Sequence, residues 1–142
     1  MNIGEASERS GVPAKMIRYY EETGLVREPG RSSGGYRIYG ETDVHALRFV
    51  RRARDLGFPV ERIRELLKLW FDRSRSSRQV KKIALAHVTA LDADIAKLTG
   101  LRDVLRHLAG KCHGDDRPEC PILDDLEGGR ASAKRSKASG RN

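Results

Sequence analysis

The most informative segment of this sequence spans residues 10–27 and reads SGVPAKMIRYYEETGLVR. Pro13 follows a Ser-Gly turn and suits the first position of a helix, where its missing N–H costs no hydrogen bond. Gly24 suits the left-handed position that ends a helix. Ile17 and Tyr20 are spaced to face inward between these two signals. The segment therefore predicts one short helix with a buried side and an exposed side.

The flanking residues place this helix in a larger unit. A helical pattern precedes it at Ile3–Ser10, with Ala6 facing the core. We predict that strands follow at Leu25–Arg27 and Tyr36–Tyr39. They would be joined through Pro29-Gly30 and Ser33-Gly34-Gly35, because glycines permit the tight turn of a hairpin. Two helices around a tight turn, followed by a hairpin, predict a winged helix-turn-helix.

Two more helices are predicted before a polar connection. Thr42 can cap a third helix, and Gly57 would close it. Its inward stripe consists of Val44, Leu47 and Val50, while its outer side carries Arg48, Arg51, Arg52 and Arg54. A fourth helix runs through Ile63, Leu66, Leu67 and Trp70. Asp72–Ser77 is polar and rich in Arg and Ser, which favours a hinge.

A long amphipathic helix is predicted from about residue 80 to residue 108. Its stripe follows spacings of three and four through Val80, Ala84, His87, Leu91, Asp94, Leu98, Leu101, Leu105 and Leu108. Such a helix is about 45 Å long and cannot bury that stripe against so small a domain. Dimerisation through a coiled coil follows, although folding back on its own domain remains an alternative. Two members of the stripe, His87 and Asp94, are polar and weaken the heptad pattern, so a short antiparallel pairing with looser register is a further alternative.

The predicted fold class is therefore mainly α, with a winged helix-turn-helix domain followed by a long coiled-coil dimerisation helix. The expected divisions are the winged helix-turn-helix domain at 1–71, a hinge and helix start at 72–79, the dimerisation helix at 80–109, a loop with two cysteines and a short helix at 110–126, and a basic tail at 127–142.

Charge and composition restrict the class of partner. The formal net charge is +8, but the tail alone holds five basic residues and one acid, which is half of the excess. We expect this tail to be disordered and to add only non-specific attraction to nucleic acid. The sequence has no charged and apolar leader, and no apolar run approaches the roughly 18 residues of a membrane span. We therefore expect a cytoplasmic protein with reduced thiols and no membrane partner.

Basic and aromatic side chains define the expected DNA-contacting face. Alone, Lys15, Arg18 and Tyr19 could be only a solvated helix face. The neighbouring hairpin, with Tyr36 and Arg37 expected at its tip, and the Arg-lined helix make a shape that straddles a duplex. Arg and Lys bind phosphates or guanine edges, and tyrosine hydroxyls bind the backbone. The predicted contacts are Lys15, Arg18, Tyr19, Arg31, Tyr36, Arg37 and Arg54. The predicted partner is double-stranded DNA.

Cys112 and Cys120 are separated by seven residues, which is too long for the tight pairs of structural zinc sites. Four interpretations remain open: unrelated thiols, a disulfide, half of a zinc site, or a complete two-thiolate site for a soft monovalent ion such as Cu(I) or Ag(I). A reducing cytosol disfavours the disulfide. A helix beginning at Pro121 would favour the Cys120 thiolate. His113 is a possible but unnecessary ligand, and Ser77 is by default an N-cap.

Several motifs together resemble the MerR-type transcription activators, and among them the copper-efflux-regulator branch. The resemblance covers roughly Met1 to Leu126 and rests on residues 3–6, 16–25, 35–39, 51–58 and 112–121. It implies that the N-terminal domain binds one half of an inverted-repeat promoter. It also implies that long helices pair antiparallel in a homodimer and that the cysteine loop binds the inducing metal.

The resemblance further implies a metal and a mechanism. In the family, the position of Ser77 holds cysteine in sensors of divalent ions and serine in sensors of monovalent ions, so Cu(I), Ag(I) or Au(I) is expected at Cys112 and Cys120. Across an antiparallel pair, Ser77 of the other chain would lie near each site, because both residues bracket one long helix. Metal would distort the promoter for RNA polymerase and so activate copper-efflux genes.

Other function classes remain as alternatives. One is a sensor of divalent ions such as zinc. Another is a cytosolic metal carrier or thiol redox protein, which would have no use for a wing. An enzyme is not expected, since no nucleophile and base, phosphate-binding loop or acid pair occurs at productive spacing.

Overall fold

The structure is a computed structural model and describes residues 1–128 of the 142-residue chain. The predicted tail lies outside the described residues from residue 129 onward. The chain forms a first compact unit, Met1–His87, and a second that begins at Val88. The elements are α1 Ile3–Ser10, α2 Ala14–Glu22, β1 Gly30–Arg31, β2 Arg37–Ile38, α3 Glu41–Asp55, α4 Val60–Phe71, α5 Ser77–Lys111 and α6 Pro121–Leu126.

Helices α1 and α2 form the predicted helix-turn-helix. Asn2 caps α1, because its side chain accepts a hydrogen bond from the Glu5 N–H at 2.8 Å and the Glu5 carboxylate accepts one from the Asn2 N–H at 3.2 Å. Gly11 takes a φ of 77° in the turn. A Cβ there would lie 1.9 Å from Nη1 of Arg51, so a side chain at this position would displace that guanidinium. Pro13 stands one position before α2, as its N-cap.

The core of the first unit is built from the apolar faces of α1 to α4. The fully buried side chains of largest volume are Ile17, Leu47, Ile63, Val44 and Val50. The predicted inward positions of α2 and α3 are therefore confirmed. Burying a side chain of this size stabilises the fold by about 1.5–3 kcal/mol, so these positions fix the helices of the first unit against one another.

The predicted first strand was wrong. Leu25 and Val26 are buried, and their N–H groups both donate to the carbonyl of Tyr20, at 2.9 and 3.2 Å. These bonds satisfy the end of α2 instead of a strand ladder. The hairpin begins later, where Gly30 pairs with Ile38 and Arg31 pairs with Arg37, antiparallel. Gly30 is therefore part of a strand and not of the predicted turn.

Two predicted helix caps were also displaced along the chain. The N–H of Gly40 donates to the Asp43 carboxylate at 2.8 Å, so α3 begins at Glu41 and not after Thr42. The N–H of Arg78 donates to Oγ of Ser76 at 3.0 Å. Ser76 is thus the cap of α5, and Ser77 is the first residue of the helix.

The long helix α5 contains 35 residues, which corresponds to about 52 Å. Ile83 is its one buried residue. In the second unit, four members of the predicted stripe are exposed in the single chain by 39% to 64%, namely Leu91, Leu98, Leu101 and Leu105. Ile95 and Val104 on the same helix are exposed as well. None of the helices within residues 1–128 is long and apolar enough to cross a membrane.

Candidate DNA-contacting face and cysteine site

The exposed side of α2 carries the residues expected to contact DNA. Lys15, Arg18 and Tyr19 are exposed, while Ile17 and Tyr20 on the opposite side are buried. The tyrosine rings of Tyr19 and Tyr20 contact each other with centroids 6.1 Å apart. Because its inner side is anchored in the core, α2 presents its basic side chains on a fixed support.

The hairpin presents a second exposed group. Its turn is closed by a hydrogen bond from the Ser32 N–H to the Tyr36 carbonyl at 2.8 Å, and Gly35 adopts a φ of 84°. Arg31 is exposed and donates from Nη1 to the Gly35 carbonyl at 2.8 Å. The Tyr36 side chain is 78% exposed. The hairpin is thus a small braced loop with a free aromatic ring and a guanidinium.

Arg37 was expected at the hairpin tip, but it lies in β2 and points to α2. Its Nε donates to Oε1 of Glu21 at 2.9 Å, and the Tyr39 hydroxyl donates to Oε2 of Glu21 at 2.6 Å. The Glu21 side chain is only 2% exposed. Burial and the hydrogen bond to Glu21 raise the pKa of Tyr39. This triad of Glu21, Arg37 and Tyr39 attaches the hairpin to α2.

The sequence did not reveal the role of Glu21. It stands beside the exposed Glu22 in a helix whose polar side was expected to be solvated. The signal that could have found it is an arginine in β2 followed by a tyrosine two residues later. Side chains two apart on a strand share a face, so both can meet one carboxylate.

Arginines line the outer side of α3, as predicted. Arg54 is exposed, and its carbonyl accepts the Gly57 N–H at 2.9 Å in the turn before α4. Arg48 donates from Nε to the Arg9 carbonyl at 3.0 Å and so satisfies the end of α1. Arg54 is therefore an exposed basic residue beside the α3–α4 turn, while Arg48 binds within the domain.

The two cysteines lie together in the second unit. Cys112 directly follows α5, Cys120 is the N-cap residue of α6, and their Sγ atoms are 3.8 Å apart. Both are free thiols and half-buried. The backbone N–H of Leu123, and then that of Ile122, hold the pKa of Cys120 below its ordinary value. The helix start at Pro121 thus favours the thiolate, as expected.

Other donors near the cysteines do not complete a larger ligand set in one chain. Asp115 forms an ion pair with Arg117 at 2.8 Å, and hydrogen bonds from Arg117 lower the pKa of Asp115. His113 is exposed. Within residues 1–128, no group of three or more His, Cys, Asp or Glu side chains is placed to hold a metal. Ser77 and Cys112 stand at opposite ends of α5.

The sulfur separation fits a single shared metal ion. A metal–thiolate bond is about 2.3 Å long, so sulfurs closer than twice that length can both contact one ion. The observed 3.8 Å satisfies this limit. Two soft thiolates suit a soft ion such as a monovalent d10 metal.

Comparison with known proteins identifies the family. The profile of the MerR HTH family regulatory proteins matches residues 1–70, and the profile described as MerR, DNA binding matches residues 44–108. The heavy metal-dependent transcription regulator 2 of Rhizobium meliloti (strain 1021) is 59% identical over 131 residues, 92% of this chain and 89% of that protein. The chain belongs to the MerR family of transcriptional regulators.

Other relatives agree with this assignment. The HTH-type transcriptional regulator CueR of Salmonella typhimurium is 43% identical over 90% of this MerR-family chain and 93% of that protein. The crystal structure of PbrR691 from Ralstonia metallidurans CH34, in complex with lead(II), has a TM-score of 0.76 at 32% identity, covering 89% of this chain and 98% of that chain. These relatives are regulators, so the expectation that the protein is not an enzyme is confirmed.

Proposed function

We propose that this MerR-family chain is a Cu(I)-responsive activator that binds an inverted-repeat promoter as a homodimer, with Ag(I) and Au(I) as alternative inducers. The observation that carries the proposal is the pair of thiols 3.8 Å apart at Cys112 and Cys120. The names of two relatives, one heavy metal-dependent and one CueR, support it. The regulated genes would be those of copper efflux, and the protein would act in the reducing cytoplasm.

The ligand set favours a monovalent ion over zinc. Zinc in proteins is almost always held by four ligands, and the described residues form no group of three or more His, Cys, Asp or Glu side chains placed to hold a metal. An antiparallel partner would bring only the hydroxyl of its own Ser77 to the site. A d10 monovalent ion is satisfied by two thiolates. When bound, the metal would link the end of α5 to the start of α6.

The proposed DNA interface combines α2, the hairpin and the end of α3. Exposed Lys15, Arg18 and Tyr19 would enter or border the major groove, while Arg31 and Tyr36 would contact phosphates. Arg54 would extend the phosphate contacts. Arg37 would act first by holding the hairpin through Glu21. The guanidinium N–H groups of Arg37 that do not bind Glu21 would contact DNA directly.

The exposed apolar side chains of α5 support the homodimer. Six leucine, isoleucine or valine side chains between residues 91 and 105 are more than one third exposed in the single chain. Burying each would stabilise an assembly by about 1–3 kcal/mol before the cost of association. Pairing two such helices antiparallel covers both stripes and orders two DNA-binding units for the two half-sites.

Activation would depend on DNA shape and not on occupancy. We infer that metal-free and metal-bound dimers both bind the operator. Metal then changes the relative angle of the two DNA-binding units, so that the spacer is bent and undertwisted for RNA polymerase. Such a deformation costs on the order of 1–6 kcal/mol. This free energy must come from tighter binding of the metal to the dimer that distorts the DNA than to the dimer that does not.

Transcription in vitro tests the proposal. The full chain, reduced and titrated with Cu(I) or Zn(II), is assayed on a promoter with an inverted repeat in an overlong spacer. We expect activation by Cu(I), its loss in Cys112→Ser and Cys120→Ser, and retained operator binding in both. Ser77→Cys should broaden the response toward zinc, because the partner would deliver a third thiolate. Equal responses of the wild type to zinc and copper would refute the argument from Ser77.

A sensor of divalent ions is the second candidate. It is favoured by the similarity to PbrR691, whose crystal structure contains lead(II), and by the exposed His113 next to Cys112. X-ray absorption of the copper-loaded protein separates the two candidates. Two sulfur neighbours support the two-thiolate site, whereas a shell of three or four ligands including nitrogen supports the divalent sensor.

A further inference from the structure

The long helix α5 is attached to the first unit along one narrow face. Ile83 is 5% exposed and is the buried residue of the helix. His87 follows one turn later and therefore lies on the same face. Its Nε2 lies 2.8 Å from the carbonyl oxygen of Leu56, and its ring stacks on Phe58 with centroids 4.1 Å apart and planes inclined by 22°.

His87 contacts the turn between α3 and α4. Leu56 is the C-cap residue of α3, and Gly57 follows with a φ of 85°. The last carbonyls of a helix lack partners within it, so a donor from another element is favourable there. The oxygen of Leu56 accepts the hydrogen bond, so Nε2 of His87 carries the proton that it donates.

The same turn is fixed to the core and to the proposed DNA-contacting face. The N–H of Phe58 donates to the Ala53 carbonyl at 3.1 Å, and the Phe58 side chain packs against the core cluster. Arg54 is part of the same turn through its carbonyl, which accepts the Gly57 N–H. If His87 moves, it therefore pulls on a hydrogen-bonded turn that includes Arg54.

The polar nature of His87 also explains its place in the apolar stripe. In a coiled coil, a histidine at a core position weakens pairing. Here the side chain makes a directed bond to a backbone carbonyl and stacks on an aromatic ring, which a leucine could not do. Its contacts are intramolecular and lie within the first unit.

We propose that His87 is a positioning residue that couples α5 to the α3–α4 turn and so passes the metal signal to the DNA-contacting face. The inference rests on the proposed metal response. Helix α5 is continuous from Ser77 to Lys111, where the cysteine site begins. Through its contacts with Leu56 and Phe58, His87 would pass a tilt of this helix to that turn. The hydrogen bond is the directional part of that link, because a stacked ring can slide.

The test separates the hydrogen bond from the stack. His87→Phe keeps an aromatic ring but removes the donor, and His87→Gln keeps an N–H donor but removes the ring. Lys82→Gln is a control at an exposed position of the same helix. Each full-length variant is measured with Cu(I) for metal affinity, operator affinity, thermal unfolding and transcription. A fluorescent base at the centre of the promoter spacer reports the DNA distortion.

We expect His87→Phe to bind Cu(I) and operator within about twofold of the wild type but to lose activation and spacer distortion by about five- to tenfold, the lower range of allosteric couplings. His87→Gln should retain more than half of the activation, and the control should be unchanged. If the Phe variant does not fold, His87→Leu replaces it.

Three results would overturn the inference. The first is full activation by His87→Phe. The second is a parallel fall of operator affinity and thermal stability in His87→Phe, which would show a merely structural role. The third is a loss of activation in His87→Gln equal to that in His87→Phe. If the wild type responds to lead, mercury or zinc but not to Cu(I), the proposed metal is wrong, and the same comparison with the active ion still tests His87. If the wild type responds to none of these ions, the inference falls with the proposed function.

Discussion

Glu21→Gln is the sharpest test of how the hairpin is held on α2. The Glu21 side chain is 2% exposed and accepts hydrogen bonds from Arg37 at 2.9 Å and from Tyr39 at 2.6 Å. Glutamine has the same shape but one acceptor oxygen and no charge. A hydrogen bond to a charged group contributes about 1.5–3 kcal/mol, and the guanidinium also loses its partner, so we expect a loss of about 2–4 kcal/mol in the free energy of unfolding.

Urea unfolding at one protomer concentration measures this loss, because the stability of a dimer depends on concentration. Glu22→Gln is the matched control, since it removes the same charge from the exposed neighbour on α2. A loosened hairpin should also weaken the phosphate contacts of Arg31 and Tyr36. We therefore expect the plot of log operator affinity against log salt concentration to become less steep, with the magnitude of its negative slope smaller by about one.

Two outcomes of these measurements would contradict the expected role of Glu21. If the two glutamine variants unfold at the same urea concentration with the same slope m, the buried triad does not stabilise the domain. If stability falls but the salt slope is unchanged, the triad is structural and does not position the phosphate contacts of the hairpin.

Three further predictions address other parts of the chain. Arg18→Ala should weaken operator binding by about 1–3 kcal/mol in a gel-shift titration with the dimer intact, because it removes a DNA contact and not a core contact; unchanged affinity contradicts its place in the recognition helix. Deleting residues 127–142 should lower non-specific DNA affinity at low salt but preserve metal activation, and a lost metal response would show another role for the tail. In Cys112→Ser, alkylation of Cys120 by iodoacetamide should rise at a lower pH in the folded protein than in urea, since the Leu123 N–H lowers the pKa and so increases the thiolate at a given pH; equal midpoints would exclude that effect.

Periodicity and end signals predicted the helices well because these signals are local. Ile17, Val44 and Leu47 were placed correctly in the core, since the burial of an apolar stripe depends on spacing alone. The approach of Cys112 to Cys120 also follows from a short loop between two predicted helices. Its sulfur separation did not, because loop conformation depends on contacts such as that of Asp115 with Arg117.

The features that sequence reasoning missed depend on contacts between distant segments. The first strand lies at Gly30–Arg31 and not at 25–27, because the Tyr20 carbonyl accepts the N–H groups at the start of the predicted strand. Arg37 left the hairpin tip for Glu21, sixteen positions earlier. His87 contacts Leu56, thirty-one positions earlier, and no local pattern signals either pairing.

Because α5 is one continuous helix, insertions and deletions within it are restricted in length. Each inserted residue rotates everything beyond it by about 100° and advances it by about 1.5 Å. A single-residue insertion between His87 and Cys112 would thus change the direction of the cysteines about the helix axis by about 100°. Insertions of seven residues restore the direction to within about 20°. We therefore expect tolerated length changes in this helix to occur as whole heptads, which a library of insertions screened for metal-dependent growth would reveal.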